Sequence, residues 1–137
     1  MRLTTDPPCR TRYAVNQWNM LLIGQRGSGM SLHSDILAAA SWQAHVAGRK
    51  RWALCPWQQP TSVHGRVIGS GLCAWAPDYG QFPGFGAAHC ADIVVDPGEV
   101  LYYLSYWWHE TEALDTPTVG LTGLMVCLAT MKWCRGL

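Results

Sequence analysis

No segment of this chain repeats its apolar residues every three to four positions, as an amphipathic helix requires. They come instead in short runs, at 18–23, 30–34, 42–47, 50–55, 93–95, 99–104, 107–114 and 118–128. Turn chemistry separates them: Gly24-Gln25-Arg26-Gly27-Ser28-Gly29, Gly48-Arg49, Asp96-Pro97-Gly98 and Asp115-Thr116-Pro117. About eight short strands closed by such turns predict an all-β sandwich or small barrel. Gly48-Arg49 is a hairpin signal between two strands, and Asp96-Pro97-Gly98 predicts a tight strand pair. Residues 36–41 are read as one helical turn or a reversing loop. Residues 56–88, rich in Pro, Gly and Ser, form a long excursion of the kind that serves as a lid or binding loop.

A chain of 137 residues builds one core. Its expected organisation is an irregular lead-in over 1–17, a barrel over 18–128 carrying the long loop 56–88, and a tail over 129–137. A net charge of +1 provides no global field toward nucleic acid, which is not an expected partner. Residues 1–66 are nevertheless basic, with Arg49, Lys50 and Arg51 in a row, and are read as a solvated strand edge. The six cysteines show neither C-x-x-C nor regular spacing. This argues against a zinc module or a disulfide framework and predicts free thiols in a reducing, intracellular compartment, cytoplasm or nucleus. No apolar run reaches the length of a membrane span.

Chemistry concentrates first at His33-Ser34-Asp35. On an extended strand two residues of this spacing share one face, about 7 Å apart at Cα, and can reach a common metal ion. His109, behind Trp107-Trp108, is the best candidate for a third ligand. Two histidines and one carboxylate with open positions form the facial triad of non-haem Fe(II) oxygenases. A lone His-x-Asp is structural more often than metal-binding, so the pair alone leaves both readings open. Gly24–Gly29 lacks the Gly-Lys-Ser/Thr that a phosphate loop needs. Glu110 and Glu112 fall on the face opposite His109 and are expected to be solvated. Trp107 and Trp108 alternate, one inward and one outward.

The order of these pieces carries a resemblance. SLHSDILAAASWQAHVAGRKRWAL (31–54) and VVDPGEVLYYLSYWWHETEALD (94–115) contain H-x-D, then W-x-A-x-V-x-G-x-K-R-W, then P-G-E-x₇-W-W-H in register. Together they closely resemble the JmjC-type, cupin-like 2-oxoglutarate oxygenases, in the branch of the asparaginyl and lysyl hydroxylases. The resemblance implies a double-stranded β-helix, as a minimal or incomplete JmjC core, with Fe(II) held by His33, Asp35 and His109. It also implies that Lys50 pairs with the distal carboxylate of 2-oxoglutarate, with Gln43 and Thr122 as further co-substrate contacts. Lys50 alternates inward between Arg49 and Arg51, and a buried cation needs such an anion. Trp52 and His45 share the inward side as core residues, His45 being a possible neighbour of the ligands.

The implied reaction consumes O₂ and 2-oxoglutarate, releases succinate and CO₂, and hydroxylates a side chain of a protein substrate, or demethylates one through hydroxylation. Met30 stands where many relatives carry a polar co-substrate contact. Leu104 replaces a proline before the Trp-Trp-His turn, and Ala113 an asparagine. Met30, Leu104 and the short flanks expected of a minimal core define the alternative: a cupin-like binding or scaffold module with weak or no turnover. Oligomeric state is not readable from the sequence.

Overall fold

The computed structural model describes residues 19–35, 39–56 and 71–125. Eight strands follow in order: β1 (Met20–Gly24), β2 (Gly29–His33), β3 (Ala40–Ala47), β4 (Lys50–Cys55), β5 (Ala91–Val95), β6 (Val100–Tyr103), β7 (Trp108–Ala113) and β8 (Thr118–Met125). They form two antiparallel four-stranded sheets, ordered β1-β8-β3-β6 and β2-β7-β4-β5. This is the double-stranded β-helix expected from the motifs. Lead-in 1–17 and tail 129–137 lie outside the described residues, as do 36–38; of the helical turn or loop expected over 36–41, Ala40 and Ser41 instead begin β3, paired with Met125 and Leu124.

The turns occur where the sequence puts them, but two of them do different work. Gly48-Arg49 does not close a hairpin: β3 and β4 belong to different sheets. The same correction applies at Asp96-Pro97-Gly98, since β5 and β6 are in opposite sheets. Turn chemistry reverses the chain in either case; only the choice of partner strand, a tertiary matter, distinguishes a hairpin from a crossing between sheets. Glycine is required at both sites. Gly48 has φ +68°, and a Cβ there would come within 2.5 Å of the Pro117 carbonyl. Gly98 has φ +91°, in the left-handed region. The Gly48 turn is clamped from outside by Arg49, whose Nε and Nη2 donate to Asp115 at 2.9 and 3.0 Å. That guanidinium holds the Asp115 carboxyl down at about 2.

Between the sheets lie Trp52, Leu54, Val95 and Tyr103, joined by Ile93, Leu101 and Trp107. A second apolar cluster, Leu32, Cys55, Leu72 and Phe85, packs on the other side of the β2-β7-β4-β5 sheet with Phe82, Cys90 and Trp108. It is supplied by the described part of the long loop, which includes a 3₁₀ turn at Pro83–Ala87. This sheet is therefore covered on both faces. That explains why Trp52 to Cys55 are all buried with no inward–outward alternation. Trp107 and Trp108 accordingly both pack, one in each cluster.

Two expectations fail for the same reason. Glu110 is buried rather than solvated, at 7% exposure, and its Oε2 accepts the Ala74 backbone N–H at 2.6 Å. The loop lies over the face where solvent was expected. Cys55 and Cys90 form a disulfide that ties β4 to the end of that loop, whereas free thiols had been expected; the separation of 35 residues carries no spacing signal. Among the described residues Cys73 is the free cysteine. The basic run is neutralised piecewise: Arg51 donates to both oxygens of Asp92 at 2.9 and 2.6 Å and stacks on Trp75. No described helix is long and apolar enough to cross a membrane.

If Glu110 pins the loop, Glu110→Ala should lower stability by about 1–3 kcal/mol, the cost of stranding a buried partner. Hydrogen exchange at the Ala74 amide should accelerate in the same variant. Unchanged protection at Ala74 would show that the loop is held by its apolar contacts alone.

Candidate metal centre and co-substrate pocket

The centre is set by how β2 pairs with β7. Gly29 lies opposite Glu112, and a Cβ at Gly29 would run into the carbonyl oxygen of Thr111. The missing side chain lets the strands approach. After a register irregularity between Met30 and His33, His33 comes directly opposite His109. Their ring centroids are 4.1 Å apart. Asp35 is not on the strand, which ends at His33; it sits just past the exit. Its carboxylate still turns to the histidines, with Oδ1 3.9 Å from Nε2 of each.

The donor atoms are aimed. His33 Nδ1 lies 2.8 Å from the Ser31 carbonyl, and His109 Nδ1 lies 3.1 Å from the Trp107 carbonyl. A carbonyl only accepts, so each Nδ1 carries the proton and each Nε2 presents its lone pair inward. Ser41 Oγ donates to Asp35 Oδ2 at 3.0 Å, leaving Oδ1 for the centre. One ligand atom from each residue falls within 4.8 Å of the others. Two cis ligands with bonds of about 2.1 Å sit ~3 Å apart, so holding an ion draws the carboxylate inward by a modest rotation. Asp35, at the strand exit and partly exposed, has room for that movement. His33, Asp35 and His109 thus fit a divalent ion.

Tyr103 was not anticipated. Its phenol, from β6, reaches to 3.4 Å from His109 Nε2 and donates to it. Burial and then the Asp35 charge raise its pKa, so it stays protonated. The alternation Leu101, Tyr103 on a recognised strand was the available signal, but assigning its face requires the sheet partner.

A second polar group of residues lines the interior beyond the triad. Lys50 is half-buried, its Nζ 5.2 Å from the Trp52 ring centroid. Desolvation lowers its basicity, and among the described residues no carboxylate lies within ion-pair distance of it. Nearby, Gln43 Oε1, both ring nitrogens of His45 and Trp52 Nε1 are buried without a hydrogen-bond partner among the described residues. Such orphans are rare in native interiors unless a ligand or water completes them. Gln43 is 2% exposed and Lys50 half-buried, so both side chains turn into the protein. Thr122 is in register with Gln43, but its Oγ1 donates to the Trp42 carbonyl at 2.8 Å. Its proton is spent on backbone, so as placed it has none for a carboxylate. Met30 is exposed and brings nothing to the interior.

A family model described as "Cupin-like domain" matches residues 4–133. The chain belongs to the cupin-like family. Cupin-like relatives include the 2-oxoglutarate and iron-dependent oxygenase JMJD4 of Gallus gallus, 27% identical over 126 residues, covering 88% of this chain and 30% of that protein. The arginine-specific demethylase JMJ20 of Arabidopsis thaliana is 28% identical over 104 residues, covering 74% of this chain and 22% of that one. These names bear out the resemblance to JmjC-type oxygenases. The chain spans less than a third of the length of either relative. Among solved structures, the Mn(II) oxalate decarboxylase of Bacillus subtilis superposes with a TM-score of 0.52 at 14% identity, covering 78% of this chain and 20% of that one. At that identity the likeness speaks for the cupin-like fold alone.

Two outcomes follow from the geometry. His33→Ala should weaken divalent-metal binding by more than about a hundredfold, and Ser41→Ala, which only frees the carboxylate, by about tenfold; calorimetric titration with Mn(II) checks both. Equal affinity in His33→Ala would remove the ligand set. The second concerns pH. Burial first, then the neighbouring His33, push His109 down to about 4. An unfolded histidine titrates near 6.5, so on acidification the unfolded chain takes up a proton that the folded chain refuses. The stability of the metal-free protein is thus fully present above about pH 6.5 and falls as pH drops toward 4, by about 3 kcal/mol from this group. Urea denaturation across that range should show a flatter profile for His109→Gln.

Proposed function

We propose that this domain holds Fe(II) at His33, Asp35 and His109, binds 2-oxoglutarate with its distal carboxylate on Lys50, and uses O₂ to oxidise a C–H bond of a protein side chain. The observation that carries this reading is the half-buried Lys50 cation, without a carboxylate partner among the described residues, in one interior with the three aimed ligand atoms. A buried lysine without an anion is costly, and a dicarboxylate that also reaches the metal relieves it. The names of the relatives support the oxygenase class. That the target is a protein side chain, hydroxylated or demethylated through hydroxylation, is our inference from the names carried by those longer proteins.

Bound there, iron with 2-oxoglutarate and O₂ supplies the oxidising power, and the keto acid leaves as succinate and CO₂. The chain's own residues do the rest. His33 and His109 keep their Nε2 lone pairs turned inward because the Ser31 and Trp107 carbonyls fix their tautomers. Asp35, steadied by Ser41, contributes the negative charge that balances a dication. Tyr103, Trp52 and Leu54 wall the interior and limit water. Lys50 neutralises the co-substrate's far end, while Gln43 offers an amide to the same space.

The alternative, a binding or scaffold module with little turnover, draws on Met30 and Thr122, since neither offers a hydroxyl proton to a co-substrate. The two readings separate on Lys50→Ala and on product. Under the oxygenase reading, Lys50→Ala weakens 2-oxoglutarate binding by roughly two orders of magnitude and leaves metal affinity intact, and the wild type forms succinate. Undiminished 2-oxoglutarate affinity in Lys50→Ala would contradict the pocket. Metal binding with no succinate under any supply of O₂ would favour the scaffold.

A further inference from the structure

His45 is an odd residue to bury. It is 3% exposed, and among the described residues neither ring nitrogen has a hydrogen-bond partner. Its backbone is held tightly: its N–H donates to the Glu99 carbonyl at 2.9 Å, and its carbonyl accepts the Gly98 N–H at 2.8 Å. It also marks the start of a register irregularity between β3 and β8. The ring is thus presented by a fixed frame, and the position opposite it on β8 is Gly120, which has no side chain to fill the space. A Cβ at Gly120 would already crowd the Gln43 amide, at 3.1 Å from Nε2. Stranding two polar atoms in an interior is costly, and a mere core role would be served by an apolar side chain.

Position along the interior says what the ring meets. Lys50 lies opposite Val95, at the mouth of the 96–99 turn to which the His45 backbone is bonded, whereas His109 lies opposite Leu54, four residues further along β4. His45 is thus at the lysine end, away from the triad. Burial and the Lys50 charge outweigh Glu99 and hold the ring neutral. A neutral imidazole has one N–H to give and one lone pair.

We propose that His45 is a second recognition group for the distal carboxylate of the co-substrate, donating a ring N–H to the carboxylate whose charge Lys50 balances. This rests on the 2-oxoglutarate reading above and adds to it a specificity-determining residue. A lysine alone is a point charge that tolerates many anions; a lysine and a fixed N–H together define where the carboxylate must end.

The test compares two keto acids on Mn(II)-loaded protein without O₂: 2-oxoglutarate, and 2-oxopentanoate, which has the same carbon chain without the distal carboxylate. In His45→Ala, 2-oxoglutarate affinity should fall about tenfold or more while that for 2-oxopentanoate and for the metal stays unchanged, and His45→Gln should regain part of the loss. An equal loss for both acids would make His45 a packing residue and overturn the proposal, as would no loss for either. A loss in Lys50→Ala with none in His45→Ala overturns the His45 role and leaves the pocket standing. If the wild type binds neither acid, the pocket reading fails and His45 falls with it. Should His45→Ala not fold, nitrogen-15 imidazole spectra of the Zn(II)-loaded wild type serve instead. The His45 signals should shift with 2-oxoglutarate and not with 2-oxopentanoate; identical responses would contradict the assignment.

Discussion

The close antiparallel approach of β2 and β7 is the constraint on which the rest depends. It requires a residue without a side chain at Gly29, and it sets His33 across from His109. With the two imidazoles fixed there, Asp35 need only lie near the strand exit for a three-ligand centre to form. The pairing also turns Thr111 and Ala113 to the same side as His109 and sends Trp108 and Glu110 to the other, where the long loop is anchored. One pairing therefore holds both the candidate centre and the cover behind it.

The interior is divided in its chemistry. Toward one end stand the metal-ligand atoms with the Tyr103 phenol against them. Toward the other stand Lys50, Gln43 and His45, with Trp52 between the two ends, 6.1 Å from the His109 ring and 5.2 Å from Lys50 Nζ; among the described residues Gln43 Oε1, Trp52 Nε1 and both His45 nitrogens find no partner. Apolar side chains from both sheets surround them. A fold selected only for stability would not leave four such atoms unsatisfied. Their arrangement beside a triad is what ties the metal reading and the dicarboxylate reading into one account.

Much of this was legible in the chain itself, for identifiable reasons. Turn residues and the lack of a helical period specify strands, because both are local properties. The inward direction of Lys50 follows from two-residue alternation beside a tight turn. Partnership between strands is not local, so Gly48-Arg49 and Asp96-Pro97-Gly98 were mistaken for hairpin closures when they pass the chain between sheets. The burial of Glu110 and the Cys55–Cys90 bond depend on where a long irregular segment comes to rest, which no periodicity encodes. Tyr103 was missed because its neighbour across the interior, His109, is known only once the sheets are assembled.

The measurement closest to the central claim is an anaerobic optical titration of the wild type with Fe(II) and then 2-oxoglutarate. Chelation of the keto acid by iron held in the triad should produce a weak visible charge-transfer absorption that needs both components and saturates at one equivalent of metal. Absence of that absorption, with Fe(II) and 2-oxoglutarate each failing to bind, would contradict the account.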